Sequence, residues 1–260
     1  MGKKAVSDFI VTNNIKLNAT NYLLRLKAPD SLPVINPGQF VNIEVKNSSE
    51  IFLRRPFSVF EVDYENNILS VIIKILGRGS KKLTETVPGD ILSLLYPLGR
   101  HFTYPGKDEK ILVIGGGSGL APMLFLAKES GLKAENVDIL IGARSTSDHV
   151  DIDSYSIYGN LHFTTEDGTK GVKGFVTHHP VFMNNLGSYD KVYACGPEAM
   201  MKAVARQARK SGVYCEVSLE NLMACGFGVC LCCIEPTTKG NLCVCTEGPV
   251  FNINELKWQI

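Results

Sequence analysis

The sequence lacks an excess of charge of either sign, and this absence argues against two classes of partner. Lysine and arginine number 27, and aspartate and glutamate number 26, so the formal net charge is +1. A nearly neutral chain offers no broad electrostatic surface to nucleic acid or to an anionic membrane. Its composition, 45% hydrophobic and 20% charged, is that of a packed globular protein. We expect neither a nucleic-acid nor a membrane partner.

The sequence also lacks the pattern of a targeting segment and an uncharged run long enough to span a membrane. Residues 1–7 include two lysines and contain no apolar region of the kind that a signal peptide needs. The 17 uncharged residues from Ile111 to Ala127 fall just short of a membrane-spanning helix, and glycines and a proline interrupt them. This run predicts a strand, a glycine turn and the start of a helix. The sequence predicts a cytoplasmic protein.

Cysteine is absent from the first 194 residues, and this absence excludes a disulfide framework spread along the chain. Of the eight cysteines, six fall within 21 residues near the end of the sequence. Such clustering in a chain large enough to build a core indicates a metal site. The six clustered residues are Cys225, Cys230, Cys232, Cys233, Cys243 and Cys245.

The spacing of the first cysteines indicates which metal. Cys225, Cys230 and Cys233 follow the pattern C-x4-C-x2-C, which with a distant fourth cysteine is typical of plant-type [2Fe–2S] ferredoxins. A structural zinc site more often uses two pairs with two-residue gaps, and ordinary buried cysteines are a third interpretation. The spacing favours the iron–sulfur cluster.

Spacing alone leaves the fourth ligand open. Cys243 and Cys245 are separated by one residue and would point to opposite faces of an extended segment. Cys232, next to a predicted ligand, is expected to pack as a small apolar residue.

The pattern of turns and apolar runs divides the chain into three parts. Residues 1–104 combine closely spaced turns with alternating strands, which predicts a Greek-key β-barrel. Residues 105–214 alternate strands and helices, which predicts a parallel sheet covered on both faces. Residues 215–260 are rich in loops and too short to hold a core, so we expect the metal to organise them. The five histidines are expected to lie on the surface or in loops.

Two segments of the second part have the properties of a dinucleotide site. The loop from Gly115 to Gly119 follows a strand and precedes a helix, so its N–H groups suit a phosphate. It departs from the G-x-G-x-x-G fingerprint because Leu120 takes the last position, and a tight turn is the alternative. The predicted NAD-binding residues are Gly115, Gly116, Gly117, Ser118, Gly119, Cys195, Gly196 and Pro197.

Two segments of the first part have groups that suit an anionic cofactor. Arg54 to Ser58 supplies two arginines, a ring and a hydroxyl, and the alternative is an exposed edge strand. Gly77 to Ser80 is a second anion-friendly turn after the strand that bears Lys74, and the alternative is a flexible hairpin.

Taken together and in this order, these motifs resemble the ferredoxin-reductase family. Within it, the sequence is most similar to the electron-transfer subunits of class 1B dihydroorotate dehydrogenases, over essentially the whole chain. The resemblance implies an N-terminal FAD-binding barrel, a central NAD-binding α/β domain and a C-terminal [2Fe–2S] segment. The FAD-binding residues that it implies are Arg55, Pro56, Phe57, Ser58, Ile72, Ile73, Lys74, Gly79 and Ser80.

The resemblance also selects the cluster ligands. The family's last ligand precedes a D-G-P-V-F tail, which Cys245 to Phe251 matches with Glu247 in place of aspartate. The implied ligands are Cys225, Cys230, Cys233 and Cys245.

The function implied by the resemblance is electron transfer in pyrimidine biosynthesis. A partner subunit oxidises dihydroorotate and reduces its own FMN, and electrons then pass through the cluster and FAD to NAD⁺. No side chain of this subunit is expected to be a general acid or base, and a heterotetramer of two catalytic and two electron-transfer subunits is expected. An alternative is the small subunit of an NADH-dependent ferredoxin:NADP transhydrogenase, whose first cluster ligand is aspartate, or of a related sulfide dehydrogenase. A non-catalytic metal-binding interaction module is the alternative of another class. Arg144, after the second strand of the sheet, suits a 2′-phosphate and leaves NAD and NADP both open.

Overall fold

The computed structural model describes residues 4–46, 50–150 and 153–260. The first three residues, part of the stretch predicted to lack a signal peptide, lie outside this range. Within the described residues, six antiparallel strands close a barrel in the order β1-β2-β5-β4-β3-β6, which is the predicted Greek-key architecture. The strands are β1 (Ala5–Lys16), β2 (Asn21–Lys27), β3 (Phe40–Ile43), β4 (Arg55–Asp63), β5 (Ile68–Lys74) and β6 (Ile91–Leu98). A short helix, α1 (Arg78–Thr84), follows β5, so the Gly77–Ser80 turn begins a helix and not a hairpin.

Seven strands of the described chain form a second sheet in the order β10-β9-β8-β7-β11-β12-β15. Its strands are β7 (Ile111–Gly116), β8 (Val137–Ala143), β9 (Asn160–Thr165), β10 (Val172–Lys173), β11 (Lys191–Cys195), β12 (Tyr214–Ser218) and β15 (Val250–Asn252). Neighbouring strands are parallel except for β15, which pairs antiparallel with β12. A separate hairpin joins β13 (Ile234–Thr237) and β14 (Gly240–Cys243). The helices are α2 (Leu120–Glu129), α3 (Pro180–Met183), α4 (Glu198–Ser211) and α5 (Val244–Glu247).

Helix α2 explains the long uncharged run in the sequence. Every residue from Leu120 to Ala127 is buried, because the helix lies between the sheet and the barrel. Phe125 belongs to the core of the barrel, whereas Met123 and Leu124 pack with residues of β7 and β8. In the described residues, no helix is long and apolar enough to cross a membrane.

The two ends of the terminal segment are held by packing against the rest of the chain. Strand β15 pairs with β12, and Val244, Phe251 and Leu256 are buried in the same core as residues of β7 and β11. Residues 219–233, all of them described, contain neither helix nor strand. The two ends of the segment thus have protein contacts of their own, and the expectation that the metal organises the segment stays a prediction for the loop between them. The domain boundaries after residues 104 and 214 stay predictions, since β12 and β15 pair across the second of them.

Candidate cofactor sites

A cleft of about 490 Å³ lies between the barrel and the carboxyl ends of the sheet strands. Lys74 of β5 lines one side, and Gly116 at the end of β7 and Gly142 at the end of β8 line the other. Open α/β sheets bind ligands at the carboxyl ends of their strands. The cleft is therefore at the position expected for a nucleotide.

The structure brings only some of the predicted NAD-binding residues to the cleft wall. Gly116, Gly117 and Pro197 line it. The other predicted residues are near but do not line it: Gly115, Ser118, Gly119, Cys195 and Gly196. A methyl group on Gly119 would overlap the backbone of Cys195, so this glycine lets α2 begin directly against the end of β11.

A buried hydroxyl without a partner supports the fit of a ligand to this cleft. Thr164 of β9 lines the cleft and is 0% exposed, and its Oγ1 has no hydrogen-bond partner among the described residues. Buried polar atoms are nearly always paired, so an orphan at a cleft indicates a missing partner. Thr164 was not among the predicted site residues, because strand β9 was not predicted from the sequence. Further cleft residues that were not predicted are Glu166, Phe175, Thr177 and Met200.

The Arg144 side chain, considered above for a 2′-phosphate, is engaged by an acid. Its Nε lies 3.4 Å from Asp148 Oδ2, and both residues line the cleft together with Glu166. The Asp148 carboxylate beside the guanidinium, and a second acid in the cleft wall, make this corner of the cleft unfavourable for an additional phosphate.

The predicted FAD segment begins strand β4 with four partly exposed residues. Residues 55–58 are only half-buried, although β4 pairs on both sides in the barrel. Arg55 Nη1 donates to Leu53 O at 2.8 Å, and its Nε lies 2.5 Å from the position that a Cβ on Gly79 would occupy. Ser80 Oγ accepts the N–H of Leu76 at 2.9 Å, so its hydroxyl holds the start of α1. A guanidinium on an open strand face fits a pyrophosphate.

The predicted residues of β5 divide between two faces. Ile73 is 0% exposed in the barrel core, so its side chain does not reach a cofactor outside the barrel. Ile72 packs on the outer face with residues of α2, and Lys74 lines the cleft. Lys74 Nζ lies 3.3 Å from the Cβ position of Gly117, so the FAD segment and the glycine loop meet here.

The predicted cluster ligands are arranged as two pairs. In the cluster loop, which we define as residues 225–233, the Cys230 thiol hydrogen-bonds that of Cys225. In the second pair, the Cys245 thiol hydrogen-bonds that of Cys233. Among the described residues, no three His, Cys, Asp or Glu side chains form a site for a single metal ion. A [2Fe–2S] cluster has two irons, each of which takes two protein ligands, so two pairs fit it better than one tetrahedral site.

Backbone amides and thiol pKa values support the same fit. The N–H groups of Phe227 and Cys230 donate to Cys225 Sγ at 3.5 Å, and the N–H of Cys245 donates to Cys233 Sγ at 3.4 Å. Burial raises the pKa of Cys225, but the hydrogen bonds that it accepts outweigh this and lower the pKa to about 6. Burial and the neighbouring Cys233 raise the pKa of Cys245 to about 12. A cation such as iron at the site would favour the thiolate form of Cys245.

Two cysteines outside the predicted ligand set lie at its edge. Cys232 is exposed, so the expectation that it packs as an apolar residue was wrong. Its neighbour Cys233 is buried instead, because the loop turns inward at that residue to reach Cys245. Cys243 is partly buried, and its thiol also hydrogen-bonds that of Cys233.

Two titratable groups outside the predicted sites have close partners. Glu220 accepts from Ser118 Oγ at 3.2 Å. The residue is exposed as a whole, yet the protein around its carboxyl group raises its pKa, which Ser118 and Lys74 offset in part. His162 lies in β9 with its Nε2 2.7 Å from Asp138 Oδ1, which corrects the expectation that all histidines are surface or loop residues.

Comparisons with known proteins agree with this division into sites. Three family models match: an oxidoreductase FAD-binding domain over residues 8–104, an oxidoreductase NAD-binding domain over 113–206, and the iron–sulfur cluster binding domain of dihydroorotate dehydrogenase B over 220–257. The chain is thus an oxidoreductase of the flavin- and NAD-binding class with an iron–sulfur domain. A non-catalytic metal-binding module is excluded.

Full-length relatives define the family more closely. The chain is 33% identical to the electron transfer subunit of dihydroorotate dehydrogenase B (NAD(+)) from Fusobacterium nucleatum subsp. nucleatum, over 97% of this chain and 98% of the relative. It is 37% identical to the protein of the same name from Caldanaerobacter subterraneus subsp. tengcongensis, over 85% and 87% of the two chains. The chain belongs to the family of dihydroorotate dehydrogenase B electron transfer subunits.

Solved structures share the fold. The structure of an NADH-dependent reduced ferredoxin-NADP oxidoreductase superposes with a TM-score of 0.83 and 28% identity, covering 99% of this chain and 92% of the other. The ferredoxin reductase of carbazole 1,9a-dioxygenase superposes with a TM-score of 0.71 at 24% identity, over 82% and 67% of the chains. The second likeness shows the fold alone.

Proposed function

We propose that the chain carries electrons for a partner subunit that holds FMN and oxidises dihydroorotate to orotate in pyrimidine biosynthesis. The electrons pass by way of a [2Fe–2S] cluster and FAD to NAD⁺. When bound, FAD exchanges a hydride with the nicotinamide and single electrons with the cluster, and thereby joins two-electron to one-electron chemistry. The complex contains two catalytic and two electron-transfer subunits.

One observation carries this proposal: the three candidate sites adjoin one another in the folded protein. The cluster loop packs on β3, and β3 pairs with the start of β4, where the FAD segment lies. Lys74 of the neighbouring strand β5 then reaches Gly117 of the glycine loop. The three sites therefore follow one another through direct contacts of neighbouring elements, as a path for electrons within one subunit requires.

The side chains of this protein bind the FAD cofactor and orient it. Arg55 and Lys74 supply the positive charges for the FAD pyrophosphate, and the residues from Pro56 to Ser58 form the open strand face beside it. Gly79 and Ser80 begin α1 against Arg55. Ile72 offers apolar surface on the outer face of β5, whereas Ile73 contributes its backbone only.

The two cysteine pairs would hold the two irons of a bound cluster. Cys225 with Cys230 and Cys233 with Cys245 supply the four thiolates, and the amides of Phe227, Cys230 and Cys245 donate to their sulfurs. Hydrogen bonds of this kind stabilise the extra charge of the reduced cluster and so raise its reduction potential.

Apolar residues around the cluster loop favour a partner surface. Leu222, Phe227, Val229 and Leu231 are between 46% and 84% exposed. A run of exposed apolar side chains beside a redox site is typical of a protein interface. We assign the catalytic subunit to this surface.

The acids beside Arg144 favour NAD over NADP. We expect Asp148→Asn to free the guanidinium and to narrow the ratio of kcat/KM for NADH over NADPH by about tenfold, the equivalent of one charge-assisted hydrogen bond. Steady-state diaphorase assays with both nucleotides measure this ratio. An unchanged ratio would contradict the assignment of this corner of the cleft.

The proposed function is tested by anaerobic reduction of the purified complex. With dihydroorotate as donor and no NAD⁺, we expect bleaching of the flavin and the EPR signal of a reduced [2Fe–2S] cluster. NAD⁺ should then reverse both changes. A complex that contains no iron, or whose cluster dihydroorotate does not reduce, rejects the proposal.

The likeness to the NADH-dependent ferredoxin-NADP oxidoreductase supports a second candidate, the small subunit of such a transhydrogenase. Cys225 argues against this second candidate, because the transhydrogenase small subunits are expected to have aspartate as the first cluster ligand. Addition of ferredoxin and NADP⁺ in place of dihydroorotate separates the two functions.

A further inference from the structure

We propose that Asn42 of β3 is a positioning residue for the cluster loop, which it holds in place against the strands that carry the FAD segment. The proposal rests on the proposed function, because it takes Cys225 as a cluster ligand. It adds a residue that lies far from the cysteines in sequence and belongs to the barrel.

The backbone of Asn42 is fixed relative to the FAD segment. In β3 it lies opposite Pro56 of β4 and Leu95 of β6. Arg54 Nη1 donates to the carbonyl oxygen of Asn42 at 3.5 Å and to that of Ser93 in β6 at 2.6 Å. The Asn42 side chain therefore projects from a rigid three-strand platform.

The side chain of Asn42 contacts the first ligand directly. Its Nδ2 donates to the carbonyl oxygen of Cys225 at 3.4 Å. Gly226, the next residue, has φ +79°, and a Cβ there would overlap the Asn42 amide. The loop backbone thus passes against Asn42 with no room for a side chain between them.

The stability of the barrel does not explain an asparagine at this position. Asn42 is 0% exposed, and its Oδ1 has no hydrogen-bond partner among the described residues. Asparagine is disfavoured within strands, and an unpaired buried oxygen costs about 1–3 kcal/mol. Leucine has the same branched shape with somewhat bulkier ends and would avoid that cost. What the amide provides instead is the contact with Cys225.

The contact affects the groups that tune the cluster. When the Cys225 carbonyl is held, the peptides that follow it are oriented, and among them are the N–H donors of Phe227 and Cys230 toward Cys225 Sγ. Loss of the Asn42 contact loosens this arrangement. Loss of a residue that supports metal ligands commonly weakens metal binding by about 10–100-fold.

The test uses Asn42→Leu in the full chain, purified anaerobically with its partner subunit. We expect loss of the cluster to a chelator about tenfold faster than in the wild type. We also expect altered g values of the reduced cluster and a lower midpoint potential, with FAD content unchanged and Tm not lowered. Asn14→Leu is the matched control, because Asn14 Oδ1 is also buried and unpaired and its Nδ2 donates to the carbonyl oxygens of Thr84 and Thr86. This control should leave the cluster unaltered.

A second variant guards against misfolding. Asn42→Asp keeps the shape but replaces the donor with a carboxylate facing the Cys225 carbonyl, so we expect faster cluster loss here too. Unchanged g values and chelation rates in both variants, with a cluster in the wild type, overturn the proposal. Parallel loss of FAD and of Tm assigns Asn42 a general structural role and also overturns it. A wild-type complex without iron rejects the proposed function itself, and this inference with it.

Discussion

At the scale of single residues, burial distinguishes the two cysteines that the spacing leaves as equal candidates for the fourth cluster ligand. Cys245 is 0% exposed at the start of α5, where its N–H donates to Cys233 Sγ, whereas Cys243 is partly exposed at the end of β14. Both thiols contact Cys233. The inward position and the amide hydrogen bond favour Cys245 as the fourth ligand.

This difference predicts unequal effects of two serine substitutions. We expect Cys245→Ser to lose most of the cluster, because a buried thiolate ligand is removed. Cys243→Ser should retain it and is the matched control. Iron and acid-labile sulfide per FAD, measured after anaerobic purification, distinguish the two. Equal retention of iron by both variants would reject the ligand set.

Arg55 allows a similar comparison at the FAD segment. We expect Arg55→Ala to weaken FAD binding by about 10–100-fold, the equivalent of one charge-assisted contact of 1.5–3 kcal/mol. Arg54→Ala serves as the control, because the Arg54 side chain is engaged with Ser93 and Glu44. Flavin retained after dialysis is the measurement. If Arg55→Ala keeps its FAD as well as Arg54→Ala does, the assignment of Arg55 is wrong.

At the scale of elements, the sequence predicted those strands, turns and helices that depend on residues close together in the chain. Strand β7, the glycine loop and α2 follow one another in the chain, and the turn residues between them are visible in the sequence. Other features join positions that are far apart in the sequence, so no local periodicity predicts them. Examples are the pairing of β15 with β12 and the contact between His162 and Asp138. Asn42 and Thr164 were missed for the same reason. Ile73 was assigned with its neighbours, although alternation along β5 turns its side chain into the barrel.

Asp138 of β8 links three elements and predicts a pH dependence of stability. Its carboxylate accepts from Tyr189 at 2.6 Å and lies near His162 and Lys110. Burial raises its pKa, but these partners outweigh burial and lower the pKa from 3.8 to about 2. A lowered pKa stabilises the fold above the ordinary value, and this contribution is lost as the pH falls from about 4 toward 2.

We therefore expect Asp138→Asn to lower the free energy of unfolding by about 2 kcal/mol at pH 7. The difference from the wild type should shrink below pH ~4, where the wild-type carboxylate becomes protonated. Urea unfolding of both proteins across this range measures it. The exposed Asp108→Asn is the control and should match the wild type at every pH. A difference that persists unchanged at low pH would contradict the electrostatic explanation.

At the scale of the whole molecule, the two ends of the terminal segment are built into the main core, whereas of the cluster loop only Cys233 is. The amide of Leu219 donates to the carbonyl oxygen of Pro249, and that of Arg100 donates to the carbonyl oxygen of Gly248. These bonds join the segment to itself and to the chain after the barrel. The segment is therefore joined to the protein framework by backbone hydrogen bonds that involve no predicted cluster ligand.

A protein without its cluster should accordingly lose order in one place only. We expect Cys225→Ser to keep bound FAD and the far-UV circular dichroism of the wild type, because the cofactors occupy different segments. Limited proteolysis should cut it within residues 219–233, where neither helix nor strand protects the backbone. Mass spectrometry identifies the cut sites. Cuts within β12 or β15 would show that the cluster supports the sheet after all.

The pairing of Ser218 with Val250 has a consequence for how such a chain arises and how it can be altered. Residues 219–249 leave the edge of the sheet and return to the neighbouring position, so in topological terms they are an oversized hairpin connection. A two-residue turn joining Ser218 to Val250 would restore an ordinary antiparallel edge, but it would also remove Leu219 and Val244 from the core that they share with β7 and β11. The iron–sulfur part is therefore an insertion between two paired strands whose ends are packed into the rest of the protein.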